Sequence, residues 1–459
     1  MRFLLAATAF VSLFSGPLAA EDGVSAQGTG TANEILAAKT SGIRPNIIVI
    51  LADDQGWNDI GYHNPNIQTP NLDRLAAEGV RLDQHYVYAT CSPTRVALLS
   101  GRYPSRFGVL APLGETTHMQ GDDAHLPQLL RATGYRTHLA GKWHIGETPK
   151  HRPLGYGFDT TYGYLRGQID PYTHRYKYGD HVTWHRNDEF IEEQGHVTDL
   201  ITDEAIRVIE ASGEAPFFLY VAHHAPHAPL NEPPRWIARY NDTLDDVWRR
   251  HFAAAITHMD SEIGRLVEAL QRSGKRQNTL IVYSSDNGGQ RQWPAPQAEY
   301  NGRYAAHTTL GNNEPLRGWK GDLYEGGIRV PALVNWPGML GAGKIISSPI
   351  HISDWAPTLL ARAGASADEL QLDGIDVWPL LSEAAEQPAS RTLYWRTPNR
   401  SAIRNGDWKL ITDRGHESPE LFDLAEDPYE QSDLAAQHPQ RVQALIELLD
   451  EHRAGDWSR

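Results

Sequence analysis

Two pairs of adjacent oxygen-bearing side chains stand out in this chain, Asp53-Asp54 and Asp286-Asn287. Three carboxylates and one amide carbonyl make a hard oxygen set, suited to Ca²⁺ or Mg²⁺ rather than to zinc, which favours nitrogen and sulfur. One such pair alone reads as a turn or a helix cap, because Asx turns are common at strand ends. Two pairs that each close an apolar run point to a metal. The chain also holds a single cysteine, Cys91, in "ATCSPTRVALLSGR". A lone thiol cannot form an internal disulfide, so it is either a small buried hydrophobe or a reactive group. Its place at a helix start suits a nucleophile or an oxyanion site, since helix N-termini favour negative charge. Arg95, one turn into that helix, reaches toward the same space.

The two oxygen pairs lie more than 200 positions apart, so a fold has to bring them together. Residues 46–51 form a short, uninterrupted, β-branched apolar run that reads as a fully buried strand ending at Asp53 and Asp54. Residues 279–284 read as a second such strand, ending at Asp286 and Asn287. Between them lie helices over 70–78, with Thr69 as N-cap and Gly79 as stop, and over 93–100, with Ser92 as N-cap, Pro93 at the first position and Gly101 as stop. Further helices and strands alternate through "HLPQLLRATGYRTHLAG", "VTDLITDEAIRVIEAS" and "PFFLYVA" to the long helix "HFAAAITHMDSEIGRLVEALQRSG". This alternation predicts an α/β domain with a mostly parallel central sheet flanked by helices. In such sheets the binding crevice lies beyond the carboxyl ends of the strands, where both oxygen pairs would converge. After about residue 385, short strand-like pieces and a terminal helix read as a small C-terminal α+β unit with a short antiparallel sheet.

Lys and Arg total 42 against 57 Asp and Glu, a net charge of −15, which argues against nucleic acid or an anionic membrane as the main partner. Arg2, the apolar stretch "FLLAATAFVSLF" and the small residues "SGPLAA" have the layout of a signal peptide cleaved near Ala20. The apolar run is too short to span a bilayer, so membrane insertion is not expected. The expected organisation is a signal peptide over 1–20, a flexible leader over 21–42, a catalytic domain over 43–385 and a C-terminal subdomain over 386–459. The mature protein is expected to be periplasmic or secreted.

Several motifs together resemble the formylglycine-dependent sulfatases of the alkaline phosphatase superfamily. "CSPTR" fits their C/S-x-P/A-x-R signature, and "PNIIVILADDQGWNDIGYHNPNIQTPNLDRLAAEGV", "GYRTHLAGKWHIG", "SSDNGG", "LRGWKGDLYEGGIRVP" and "WKLI…ELFDLAEDPYE" follow in the family's order, covering most of 45–435. The resemblance implies that Cys91 is oxidised by a formylglycine-generating maturation enzyme to formylglycine (3-oxoalanine), whose hydrate is a geminal diol. It implies one Ca²⁺ held by Asp53, Asp54, Asp286 and Asn287, with residue 91 beside them. Arg95 matches the arginine that steadies the formylglycine, Lys142 and His144 the pair that contacts the diol, and Lys320 the sulfate-binding lysine. The catalytic histidine is either His227 or His224, each two residues before a proline. His227 fits the pattern better, and a zinc pair made from the two lacks a third ligand nearby.

The implied reaction is hydrolysis of a sulfate monoester. "GYGFDTTYGYLRGQIDPYTHRYKYG" and "HISDWAPTLL" look most like the arylsulfatase B group, the N-acetylgalactosamine-4-sulfatases, which implies a sulfated oligo- or polysaccharide such as a glycosaminoglycan or an algal galactan. Asp170, His174 and Arg175 are candidate sugar contacts. The chain departs from that group over 290–315, a long aromatic and basic insertion in which Trp293, Tyr300, Arg303, Tyr304 and His307 are placed to frame a sugar subsite. Two other readings remain: a phosphonate monoester hydrolase or phosphodiesterase of the same superfamily, and a catalytically dead sulfoglycan-binding protein.

Overall fold

The computed structural model describes residues 44–458 except 122–123, 179–180, 309, 368–369 and 384–390. The expected signal peptide and leader lie outside the described residues. An 11-stranded sheet forms the centre. Its strands are β1 (Asn46–Ala52), β2 (Val80–Tyr86), β3 (Arg136–Lys142), β4 (Thr160–Tyr164), β5 (Trp184–Arg186), β6 (Glu189–Phe190), β7 (Phe217–Ala222), β8 (Thr279–Ser285), β9 (Arg329–Asn335), β10 (Lys344–Ile346) and β11 (Ile350–His351). The order is β10-β2-β9-β8-β1-β7-β3-β4-β5-β6, with β11 pairing β2. From β8 to β4 every pairing is parallel. The antiparallel β9, which reads in sequence only as "IRVPALVN", links this block to β2.

Alternation along β1 explains its unbroken apolar run. Ile47, Val49 and Leu51 enter one core, while Ile48, Ile50 and Ala52 enter the other. The first core includes residues of the helices Cys91–Ser100, Leu126–Ala132 and Trp355–Arg362. The second takes the apolar sides of Pro70–Ala77, Val197–Ala211 and Val247–Arg272. A strand covered on both faces has no polar face to show, as expected for the middle of a doubly covered parallel sheet.

A second, four-stranded antiparallel sheet follows, β12 (Thr392–Arg396), β13 (Arg400–Asn405), β14 (Trp408–Asp413) and β15 (Glu420–Asp423), with the helix Pro439–Ala454 after it. Leu393, Trp395, Ile403 and Leu410 join the first core. The Trp395 indole donates to Val87 O at 2.9 Å. Lys409, fully buried on β14, reaches Glu325 at 2.9 Å and Glu430 at 2.8 Å. The small sheet therefore grips the segment that follows Lys320. Among the described residues no helix is long and apolar enough to cross a membrane.

Candidate active site

Strand register builds the site. Ala52 sits opposite Ser285, and Leu51 opposite Ala222, while Gly141 pairs with Ala222. Four parallel strands thus end at one level, and the residues that leave them meet: Asp53 and Asp54, Asp286 and Asn287, His223 and His224, and Lys142 followed by His144. All are at least nine-tenths buried. The backbone of the Asp286–Gly289 turn touches that of the loop bearing Lys320. Gly288 N donates to Gly327 O at 3.0 Å, and Lys320 N to Gly289 O at 3.1 Å. A Cβ on Gly288 would lie 1.8 Å from Gly326 O, so only glycine permits the approach.

The helix that presents Cys91 spans Cys91–Ser100 with Thr90 as N-cap. This corrects the expectation that Ser92 caps it and Pro93 leads it. The Ser92 hydroxyl is used elsewhere: it donates to His144 O at 2.8 Å and accepts from Leu113 N at 3.0 Å. That bridge helps fix His144, whose backbone has φ 60°, a left-handed conformation costing about 1–3 kcal/mol in a non-glycine residue. Asp54 has φ 72°. Both strained residues carry chemistry.

Cys91 Sγ lies 3.2 Å from His144 Nδ1, and His144 Nε2 lies 3.1 Å from Leu113 O. A carbonyl can only accept, so Nε2 carries the proton and Nδ1 offers its lone pair to residue 91. Burial, reinforced by Lys142 and Arg95, holds His144 well below the usual histidine range and keeps that tautomer neutral. Burial also pushes the Cys91 thiol up, against the pull of Lys142 and Lys320.

The charged groups interlock. Lys142 Nζ donates to Asp53 Oδ2 at 2.6 Å and Lys320 Nζ to Asp54 Oδ1 at 2.5 Å. Arg95, fully buried, gives Nη2 and Nε to Asp286 Oδ2 at 2.7 and 3.2 Å and Nη1 to Lys142 O at 3.1 Å. It clamps a carboxylate and a backbone rather than facing open space. Burial would raise Asp54, but Lys320 and His227 outweigh it and hold the carboxyl well below its usual value. Burial and the neighbouring Asp53 lift Asp286 to about 6 against Arg95. Burial disfavours the Lys320 charge, yet Asp54 and the Cys91 sulfur raise its pKa, so it stays an ammonium.

Despite this pairing, Asp53 Oδ1, Asp54 Oδ2 and Asn287 Oδ1 are buried without a hydrogen-bond partner among the described residues. Buried acceptors normally find donors, and several unmet ones together mark a missing ligand. Asp53, Asp54 and His227 can bring ligand atoms within 4.8 Å of one another. All three unmet atoms are hard oxygens, the donor set of Ca²⁺. The site fits that ion.

A cleft of about 280 Å³ opens onto this cluster, lined by Cys91, His144, His227 and Lys320 with Arg166, Gln168, Lys177 and Trp293. His227 reaches the cleft, with Nδ1 donating to Ala228 O at 2.5 Å and Nε2 3.7 Å from Asp54 Oδ2. Burial pulls it down to about 3, with Asp54 acting against. His224 lies behind it, ring centroids 5.8 Å apart, and does not line the cleft. Arg166 and Gln168 escaped the sequence reading: nothing in "LRGQ" marks them, and only the fold turns them to the cleft.

The other sugar-contact candidates divide. Asp170 is 1% exposed and takes the amides of Tyr172 and Thr173 at 3.0 and 2.9 Å, so it supports the loop. His174 stacks on Trp184 at 4.5 Å. Within 290–315, Trp293 reaches the cleft, whereas His307 is buried against Trp248 at 4.0 Å. Trp293 and His307 exchange backbone hydrogen bonds of 2.8 Å, making the insertion a small folded loop.

The sulfatase family profile matches residues 45–365, and a profile described as N-sulphoglucosamine sulphohydrolase, C-terminal, matches 318–454. Arylsulfatase J of Mus musculus is 34% identical over 474 residues, spanning 89% of this chain and 75% of its own. N-acetylgalactosamine-6-sulfatase of Mus musculus is 32% identical over 397 residues, spanning 80% and 71%. The crystal structure of Ps i-CgsB in complex with k-i-k-neocarrahexaose superposes with a TM-score of 0.82 at 30% identity, covering 90% of this chain and 94% of that one.

Proposed function

The chain belongs to the sulfatase family and is a sulfuric ester hydrolase, and from that premise we propose that it uses a formylglycine made from Cys91 and a calcium ion to desulfate a glycan. Names among its relatives speak for a sulfated galactan or galactosaminoglycan as substrate. The observation that carries the reading is the in-register arrival of Cys91, His144, Lys320, His227 and unmet carboxylate oxygens at one cleft. A glycan-binding module has no use for a fixed base beside the modified position.

Asp53, Asp54, Asp286 and Asn287 would hold the ion, which supplies positive charge that polarises sulfate oxygens. Hydrated formylglycine at 91 would supply two hydroxyls on one carbon, one suited to attack sulfur and a second to release sulfate. His144 Nδ1, with its lone pair fixed by the Leu113 carbonyl, accepts the proton of that second hydroxyl. Lys320 and Lys142 keep fixed positive charge where negative charge builds as the S–O bond breaks. His227, whose Nδ1 proton is held by the Ala228 carbonyl, turns the Nε2 lone pair to the cleft, where it would take the proton of the attacking hydroxyl and pass it to the leaving sugar oxygen. Arg95 acts from behind, holding Asp286 and the Lys142 backbone in place.

We further propose export to the periplasm or the medium after cleavage near Ala20, which N-terminal sequencing of the mature protein checks. Mass spectrometry of the Cys91 peptide, together with rates on 4-nitrophenyl sulfate, tests the mechanism. An aldehyde in place of the thiol in active protein is expected. An intact thiol in fully active, natively produced protein would overturn it, and preference for an aryl phosphonate diester would reassign the substrate class.

A further inference from the structure

A second and larger groove, of about 530 Å³, adjoins the Cys91 cleft; Tyr176 lines both. This volume falls in the range of about 300–1,000 Å³ typical of small-ligand sites. Its walls come from 172–176, 182–184 and 191–194 and from 300–303 in the insertion. Buried contacts fasten these stretches together. Tyr300 N donates to Lys177 O at 2.7 Å, and Lys177 Nζ pairs with Glu299 at 3.0 Å. Gln168 Nε2 donates to Glu299 Oε2 and Tyr300 Oη, each at 3.2 Å. Arg303 and Tyr304 both reach the buried Asp170 carboxylate, at 2.5 and 2.7 Å. A wall tied at so many points is organised before any ligand arrives, which lowers the entropy cost of binding.

The lining chemistry is specific. Tyr172 shows 40% of its surface. The Arg303 side chain, although anchored by Asp170, is 53% exposed. Glu192 pairs with Arg175, and Glu193 accepts from the Tyr162 hydroxyl at 2.6 Å. Two arginines and two glutamates balance in charge, so a second sulfate gains little there. Aromatic faces beside forked donors and carboxylate acceptors suit a ring that offers C–H faces and hydroxyls. On the glycan reading above, we propose that this groove is a subsite for an uncharged sugar unit flanking the sulfated one. The enzyme then reads an oligosaccharide and not a single sugar.

The test compares kcat/KM on 4-nitrophenyl sulfate, on singly sulfated galactose and N-acetylgalactosamine, and on galactan and chondroitin tetrasaccharides with one sulfated unit. In one series the tetrasaccharide should exceed the single sugar by about tenfold or more, because remote binding energy is realised in the transition state. Sulfating the flanking unit should remove that gain. Tyr172→Ala and Arg303→Ala should remove it too, while 4-nitrophenyl sulfate, too short to extend from the Cys91 cleft into the groove, reports an intact catalytic centre. If Arg303→Ala disturbs Asp170, Tyr172→Ala, made on an exposed ring, carries the test. No gain with length in either series, or a gain that survives Tyr172→Ala, overturns the subsite. Failure of wild-type protein on 4-nitrophenyl sulfate would instead strike the catalytic reading on which the subsite rests.

Discussion

Among the described residues, two clusters have the composition of a metal site, and one of the two is open. Asp53, Asp54 and His227 form the first, and His196, Asp199 and His258 the second. In the second, His258 Nδ1 donates to Glu232 at 2.7 Å and Nε2 to Asp199 at 3.2 Å, and His196 Nε2 stands 3.5 Å from Glu232. Both nitrogens of His258 face carboxylates, so the ring itself is the cation. Burial opposes its charge, yet Asp199 and Glu232 raise its pKa to about 9. The first cluster keeps carboxylate and amide oxygens without donors even with two lysines present. Similar side chains therefore make either a closed structural ion cluster or a site that awaits a ligand. The difference lies in whether a proton already fills the centre.

That contrast can be broken in four ways. The largest effect is expected from Cys91→Ala, which should lower kcat on 4-nitrophenyl sulfate by roughly 10⁴-fold or more while leaving the thermal transition almost unmoved. A large loss of stability with residual activity would make Cys91 a packing residue. Lys320→Ala should cost about 10²–10³ in kcat, as loss of one preorganised charge does, because the ammonium sits on Asp54 where sulfate must bind. A change in KM alone would reduce Lys320 to substrate binding.

His258→Gln addresses the closed cluster. An unfolded histidine titrates near 6.5, and the folded value is about 9, so its contribution is fully present below about pH 6.5 and lost as pH rises through 9. The contribution is about 3 kcal/mol, read by denaturant unfolding at either end of that window. The variant should lose that pH slope and keep its kcat at pH 6. An unchanged slope would mean that His258 is neutral and its cluster open. The smallest effect on stability is that of metal removal. Chelation should abolish activity and lower stability by about 2.7 kcal/mol relative to Ca²⁺ at a hundred times its dissociation constant, with restoration by Ca²⁺. His258→Gln protein should respond to the chelator as wild type does. Destabilisation by chelator that vanishes in His258→Gln would place the ion in the wrong cluster.

Much of the frame was readable because it is written in local patterns. The run Ile47–Leu51 and the strand before Asp286 could be recognised from apolar continuity alone, and the long helix Val247–Arg272 from its period. Strand β9 was not recognised, since a strand's direction in a sheet is set by its partners and not by its own residues. Ser92 deceived for a related reason. A serine before a proline looks like a cap, but its hydroxyl is claimed by Leu113 and His144, which are 21 and 52 positions away. The choice between His224 and His227 needed side-chain direction, which the His-x-Pro spacing shared by both does not encode. Asp170 and His307 looked like sugar contacts because they are polar within aromatic loops; burial makes them fasteners of those loops.

The alignment of Ala52 with Ser285, and of Leu51 with Ala222, carries a kinetic consequence. The reacting groups are drawn from positions 53 to 320, so a fragment that lacks either end of that span lacks part of the centre. Pairings across such sequence separations are costly in loop entropy and form slowly. Because successive side chains of a strand point to opposite faces, a slip of one residue would turn the strand's inward set outward. The cluster comes together only in the native register. Turnover during refolding should therefore lag helix formation and rise together with closure of the sheet, so that catalysis itself times the last long-range step of folding.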